Sequence, residues 1–190
     1  MDEVSRTTAV YESDADAFVD KYLSESIAAR FGDDFSEALS GPRVLDVGCG
    51  PGVDSATFSD AGLDVVGFDL TPPFVAVARE NVPDARFVRG DMRQLPFRDG
   101  AFDGVWACAS FLHVPRRDAP DTLREFGRVL DDDGVVSLSV KRGEESGYDT
   151  DGRYFETYLP GEIRSLVDDA GFHGIRIEEG EGWIRTLASA

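Results

Sequence analysis

VLDVGCGPGVD, residues 44–54, places three glycines two residues apart behind a short apolar run, with Asp46 just ahead of the first. A tight turn alone needs fewer glycines. Glycine accepts positive φ and lets a backbone pass close to a ligand. The residues from Val53 onward read as the start of a helix, whose first N–H groups are free to bond a guest. Two details narrow the reading. Val53 stands where a dinucleotide fingerprint carries its third glycine. Asp46 would repel a pyrophosphate and attract an ammonium or sulfonium group. Both disfavour a nicotinamide dehydrogenase.

Outward from this loop the chain alternates strand and helix. Residues 43–47 read as a strand, 53–61 as a helix ended by Gly62, and 64–68 as a second strand. Thr71 and Pro72 open a helix that runs to about residue 81. Strands are predicted over 86–89, 102–107 and 134–140, helices over 119–130 and 159–170, and two short strands near 173–178 and 182–188. Residues 14–31 read as one amphipathic helix, with Ser13 and Asp16 as its start box. The alternation predicts an α/β fold: one doubly wound, mostly parallel, seven-stranded sheet with helices on both faces. The length suits a single domain over 1–190, with a lid helix at 14–31, a core over about 40–190 and an insert at 141–158. Ligands of such sheets bind beyond the carboxyl ends of the strands, at the switch point, where the glycines fall.

Two more acids follow at successive strand ends. Asp69, 17 residues after Gly52, is placed to accept both hydroxyls of a ribose. Asp91 is placed to accept from an exocyclic amine, with the Met92 N–H facing a ring nitrogen. Three acids at three strand ends suit a ligand with an amino-acid end, a ribose and an adenine.

At this point the sequence resembles the class I S-adenosylmethionine-dependent methyltransferases. LDVGCGPG resembles their first motif, VVGFDLTPPFVAVAR their second, GDMRQLPF the adenine loop, FDGVWACASFLHV the fourth strand, and EFGRVLDDDGVVSLSV the following helix and strand. The likeness covers about residues 40–175. It implies a Rossmann-like methyltransferase fold and S-adenosyl-L-methionine as cofactor. Asp46, Gly48, Cys49, Gly50 and Gly52 would then surround the methionine moiety. Asp69 and Leu70 would take the ribose, Asp91 and Met92 the adenine, while Ala107 and Cys108 would line the pocket. Pro72-Pro73 departs from the polar or small residues usual after the ribose acid. The fourth strand ends in WACASF, without Asn/Asp-Pro-Pro-Tyr, without Pro-Cys and without an acidic cluster for magnesium. Amide, adenine-amino and cytosine C5 methylation are disfavoured accordingly.

Methyl transfer from a sulfonium chiefly needs orientation and desolvation. His113 is the candidate base near the methyl position; the competing role is to bond a loop backbone. Ser110 is a candidate substrate contact, and His173 is read as structural. The polar 141–158 insert carries Tyr148, Tyr154, Phe155 and Tyr158. It either closes over the pocket with Tyr11 and Tyr22 or is anchored to the core by its aromatics. In the first case Tyr154 lines the acceptor site, and Arg142 or Arg153 pairs an anionic substrate.

The net charge is −18, from 24 Asp and 13 Glu against 17 Arg and 2 Lys. Such self-repulsion is relieved when salt is high, so the composition reads as that of a halophilic cytoplasmic protein. No basic run exists to neutralise phosphates, and no apolar run is long enough to cross a membrane. The two cysteines, Cys49 and Cys108, form no metal-like spacing, so no metal is expected. The leading expectation is a methyltransferase for a small-molecule acceptor. Methylation of RNA or protein, and a non-catalytic S-adenosylmethionine-binding module, stand as alternatives.

Overall fold

The computed structural model describes all residues, Met1–Ala190. At its centre β1 (Arg43–Val47) buries both faces: Val44 packs into one apolar cluster, Leu45 and Val47 into another. A strand that is apolar on both sides belongs inside a covered parallel sheet. β1 is hydrogen-bonded in parallel to β2 (Asp64–Asp69) on one side. β3 (Arg86–Arg89) lies beyond β2. On the other side of β1 come β4 (Phe102–Ala107) and then β5 (Leu130–Arg142), again parallel. β6 (Gly147–Tyr148) and β7 (Tyr154–Phe155) form a separate small hairpin. β8 (Thr157–Tyr158) pairs with the end of β5. β9 (His173–Gly180) and β10 (Trp183–Ser189) complete the main path antiparallel, in the order β3-β2-β1-β4-β5-β10-β9. The chain winds outward from β1 to β3, then crosses back to β4, so winding reverses beside β1.

The main sheet is therefore eight-stranded and mixed: the expected seven strands along the path, plus β8. β5 is longer than the expected 134–140. Its pairing with β4 slips between Phe102 and Gly104, a bulge that accommodates the exposed run Asp131–Asp133.

At the N-terminal end of the chain, α1 (Glu3–Ser13) starts from Asp2, whose side chain accepts from the Ser5 N–H at 2.8 Å. α2 is Ala15–Tyr22 and α3 is Ile27–Phe31. With α4 (Asp33–Ala38), α5 (Val53–Asp60) and α6 (Pro72–Asn81), α3 covers one face of the sheet. There Phe35, Phe58 and Trp106 pack at centroid distances of 5.2–5.6 Å. α7 (Ala119–Val129) and α8 (Pro160–Asp169) cover the other face. α1 rests on β7 and on a 3-10 turn, Phe111–His113, while α2 rests on α6.

The single helix expected over 14–31 is instead two helices with a break at 23–26. Ser26 caps α3 by accepting from the Ala29 N–H, a role serine prefers to a helix interior. The start box also falls away. Ser13 ends α1 and donates to the Val10 carbonyl, and Asp14 precedes α2. The 141–158 insert is ordered by one buried carboxylate. Glu156 accepts from Arg116, Ser146 and Tyr154.

Candidate active site

Each glycine of the opening loop has its own reason. At Gly48, φ is +72°, and a Cβ there would lie 2.2 Å from the Ser110 Cβ. Gly52, at φ +90°, caps α5 from beneath, and a Cβ would meet that of Ala78 at 3.1 Å. Between them the Gly50 N–H donates to Asp69 Oδ2 at 2.9 Å, while the Thr71 N–H donates to Oδ1 at 2.7 Å. The loop and the end of β2 are thus held through one carboxylate.

A cavity of about 560 Å³ opens over this loop at the switch point, a size usual for small-molecule sites. Of the residues predicted from sequence, Asp46, Gly48, Cys49, Gly50, Asp69, Leu70, Asp91, Met92, Ser110 and His113 line it. Four do not. Gly52 lies underneath, against Ala78. Ala107 is fully buried in the main core, and the wall is made by Cys108 and Ala109 after the strand ends. Arg142 points away and pairs with Glu179 at 3.0 Å, because side chains alternate along β5 and Lys141 takes the inward position. Tyr154 directs its hydroxyl to Glu156 at 2.5 Å and offers the site only its backbone carbonyl.

Asp46 is 2% exposed and takes one side-chain hydrogen bond, from Ser55 at 2.6 Å. Burial, with the Asp54 carboxylate next in effect, pushes it up to about 8. A buried carboxylate with so few donors fits an incoming ammonium group. Asp69 is also raised, chiefly by burial. Asp91 lies on the cavity wall, where Arg93 holds it at 2.7 Å and also reaches Asp2 and Asp118. Asp91 therefore keeps its place, but shares its oxygens with a guanidinium that also ties α1 to this loop. Ser110 spends its proton on the Val47 carbonyl at 2.6 Å, so it braces the loop.

His113 has both ring nitrogens engaged. The Tyr154 carbonyl, 2.6 Å from Nδ1, can only accept, so Nδ1 carries the proton. Nε2 then accepts from the Tyr11 hydroxyl at 2.9 Å. Tyr11 in turn accepts from Tyr22 at 3.4 Å, and Tyr22 from Arg153 at 3.2 Å. Burial pushes His113 down to about 4, so the ring is neutral at ordinary pH. His113 thus bonds a loop backbone and also lines the cavity.

Sequence reasoning passed over Asp54, which joins three distant parts. It accepts from Ser26, from the Ala28 N–H and from Trp106 Nε1, all within 3.0 Å. Its position in the first turn of α5 was visible; its partner Trp106 lies 52 residues away and left no local signal. No group of three or more His, Cys, Asp or Glu is placed to hold a metal ion. No helix is long and apolar enough to cross a membrane.

A glycine cradle with carboxylates at the ends of β1 and β2 and just beyond β3 thus lines one cavity at the switch point. Comparison with known proteins finds similar sequences and folds. A methyltransferase-domain family matches residues 44–134. A demethylmenaquinone methyltransferase of Renibacterium salmoninarum is 39% identical over 89 residues, 46% of this chain and 38% of that one. A malonyl-[acyl-carrier protein] O-methyltransferase of Pectobacterium atrosepticum is 36% identical over 104 residues, 54% of this chain and 40% of that one. The chain spans about two fifths of the length of these curated relatives. Among solved structures, the 1,6-didemethyltoxoflavin-N1-methyltransferase of Burkholderia thailandensis, with bound S-adenosylhomocysteine, shares the fold. Its TM-score is 0.77 at 21% identity, covering 100% of this chain and 91% of that one. Over residues 44–134 the chain is similar to the methyltransferase-domain family, and it shares its fold with this S-adenosylhomocysteine-bound structure.

Proposed function

We propose that this protein transfers a methyl group from S-adenosylmethionine to a small-molecule acceptor. The observation that carries the reading is that Asp46, Asp69 and Asp91 line one cavity over the glycine loop. Asp46 receives the ammonium end, Asp69 the ribose hydroxyls, and Asp91 with the Met92 N–H the adenine. The cofactor supplies an activated methyl group on a sulfonium. The chain supplies orientation and exclusion of water, which convert a bimolecular displacement into an intramolecular one.

The acceptor binds under the roof formed by α1, α2 and the β6–β7 hairpin. Val4, Thr7, Tyr11, Tyr22 and Phe155 face the cavity there, which supports the expected lid and the part taken by the 141–158 segment. Neutral His113, which lines the cavity and is bonded to Tyr11, serves as the proton acceptor in this reading. The absence of a basic run along the chain favours a small molecule over a nucleic acid. The name of one curated relative, a demethylmenaquinone methyltransferase, supports the same preference.

Calorimetry tests the reading. In molar KCl, where surface charge is screened, S-adenosylhomocysteine binds and NADH does not. Asp69→Ala weakens that binding about tenfold or more, the size of one or two lost hydrogen bonds to a charged group. Tight NADH binding without binding of the homocysteine compound overturns the assignment.

A further inference from the structure

Only two lysines occur in the chain, Lys21 and Lys141, and both line the acceptor side of the cavity. In a protein with 37 acids, twelve of the 19 Lys and Arg pair with a carboxylate. Arg153, beside Lys141, is held by Asp149 at 2.6 Å and Asp151 at 3.1 Å. Lys141 itself makes no ion pair and no hydrogen bond. Its ammonium stands over the face of Phe155, 3.6 Å from the ring centroid. Phe155 in turn packs against His113 at 4.8 Å, and Trp183 is the residue opposite Lys141 on β10. Partial burial, with the Arg153 charge next in effect, lowers the Lys141 pKa. An inward, half-buried ammonium kept from the many available acids is costly unless something else neutralises it.

We infer that the methyl acceptor is a planar, singly charged carboxylate, whose anion docks on Lys141 and whose flat body lies against Trp183, beside the packed pair Phe155 and His113. This rests on the methyl-transfer reading and names its substrate class. Lys141 is the partly buried ammonium of the cavity, Lys21 being exposed and likewise unpaired, and it suits one negative charge; Asp149, close to Arg153, disfavours a dianion such as a phosphate monoester. The anion is a handle that orients the acceptor toward the methyl group. Of the two residues that sequence reasoning offered for an anion, Arg142 is turned outward by strand alternation, its neighbour Lys141 taking the position, and Arg153 lines the cavity but is held by Asp149 and Asp151.

The test uses the full chain saturated with S-adenosylhomocysteine, with 4-hydroxybenzoate and its uncharged isostere 4-hydroxybenzamide as probes. The acid is expected to bind about tenfold tighter than the amide, the value of one charge-assisted hydrogen bond. Lys141→Met removes that preference and leaves S-adenosylhomocysteine affinity unchanged. With lysine labelled at the ε carbon, the chain gives two side-chain resonances, assigned through Lys21→Arg. The acid moves the Lys141 resonance and raises the pH at which it titrates. Equal binding of acid and amide, including none of either, overturns the inference, as does a Lys141 resonance that the acid leaves unmoved. S-adenosylhomocysteine affinity, read in the same samples, reports on the cofactor site separately.

Discussion

The Asp46 carboxyl couples pH to both stability and binding. Its folded pKa of about 8 lies above its unfolded value. It therefore favours the folded state fully below pH about 4, and that contribution is lost as pH rises toward 8. An ammonium group beside it reverses the preference and draws the proton off. At pH about 7 S-adenosylhomocysteine binding should release close to one proton, and its affinity should climb until about pH 8. Calorimetry in two buffers of different ionisation enthalpy measures this. Asp46→Asn should abolish the release; a release that survives the substitution places the titrating group elsewhere.

At the scale of elements, the glycine loop makes the sharpest claim. Gly48→Ala combines a positive φ with a methyl group 2.2 Å from the Ser110 Cβ. It should cost about 3 kcal/mol in urea unfolding. Gly50→Ala carries a similar φ, +53°, but meets nothing within 4 Å, and should cost only about 1 kcal/mol. Pairing Gly48→Ala with Ser110→Gly should recover part of the loss. Equal costs at the two positions would contradict the packing argument. This loop was legible because its demands are local: strand, positive-φ turn and helix start lie within eleven residues. The central strands were legible for the same reason, since a strand apolar on both faces declares a covered sheet. The break at 23–26 was not, because Ser26 caps through α3 while bonding Asp54 on α5, a partner that helical spacing cannot report. β6, β7 and β8, two residues each, are too short to show any period. In the site, the acids at strand ends were readable. The choice of Lys141 over Arg142 depended on the parity of β5, and the withdrawal of Tyr154 depended on buried Glu156.

Over the whole molecule, the ion pairs are many but the surplus of acids is large. Arg43, Arg93, Arg116 and Arg128 each bridge two or more acids, yet a net charge of −18 remains. That surplus repels itself through solvent, where screening acts, while the partly buried pairs are screened less. The unfolding temperature should therefore rise from about 0.1 M to about 2 M KCl, where the screening length falls from ~10 Å to below ~3 Å. A flat or falling curve in thermal unfolding would mean that the pairs outweigh the surplus.

One imidazole pins two separate flaps. The first helix meets His113 through the Tyr11 hydroxyl, and the hairpin meets it through the Tyr154 carbonyl. Lifting either flap leaves the ring with a vacant nitrogen and a changed tautomeric preference. On the proposed reading, the proton route through Tyr11 to this ring is complete only while both flaps are down together.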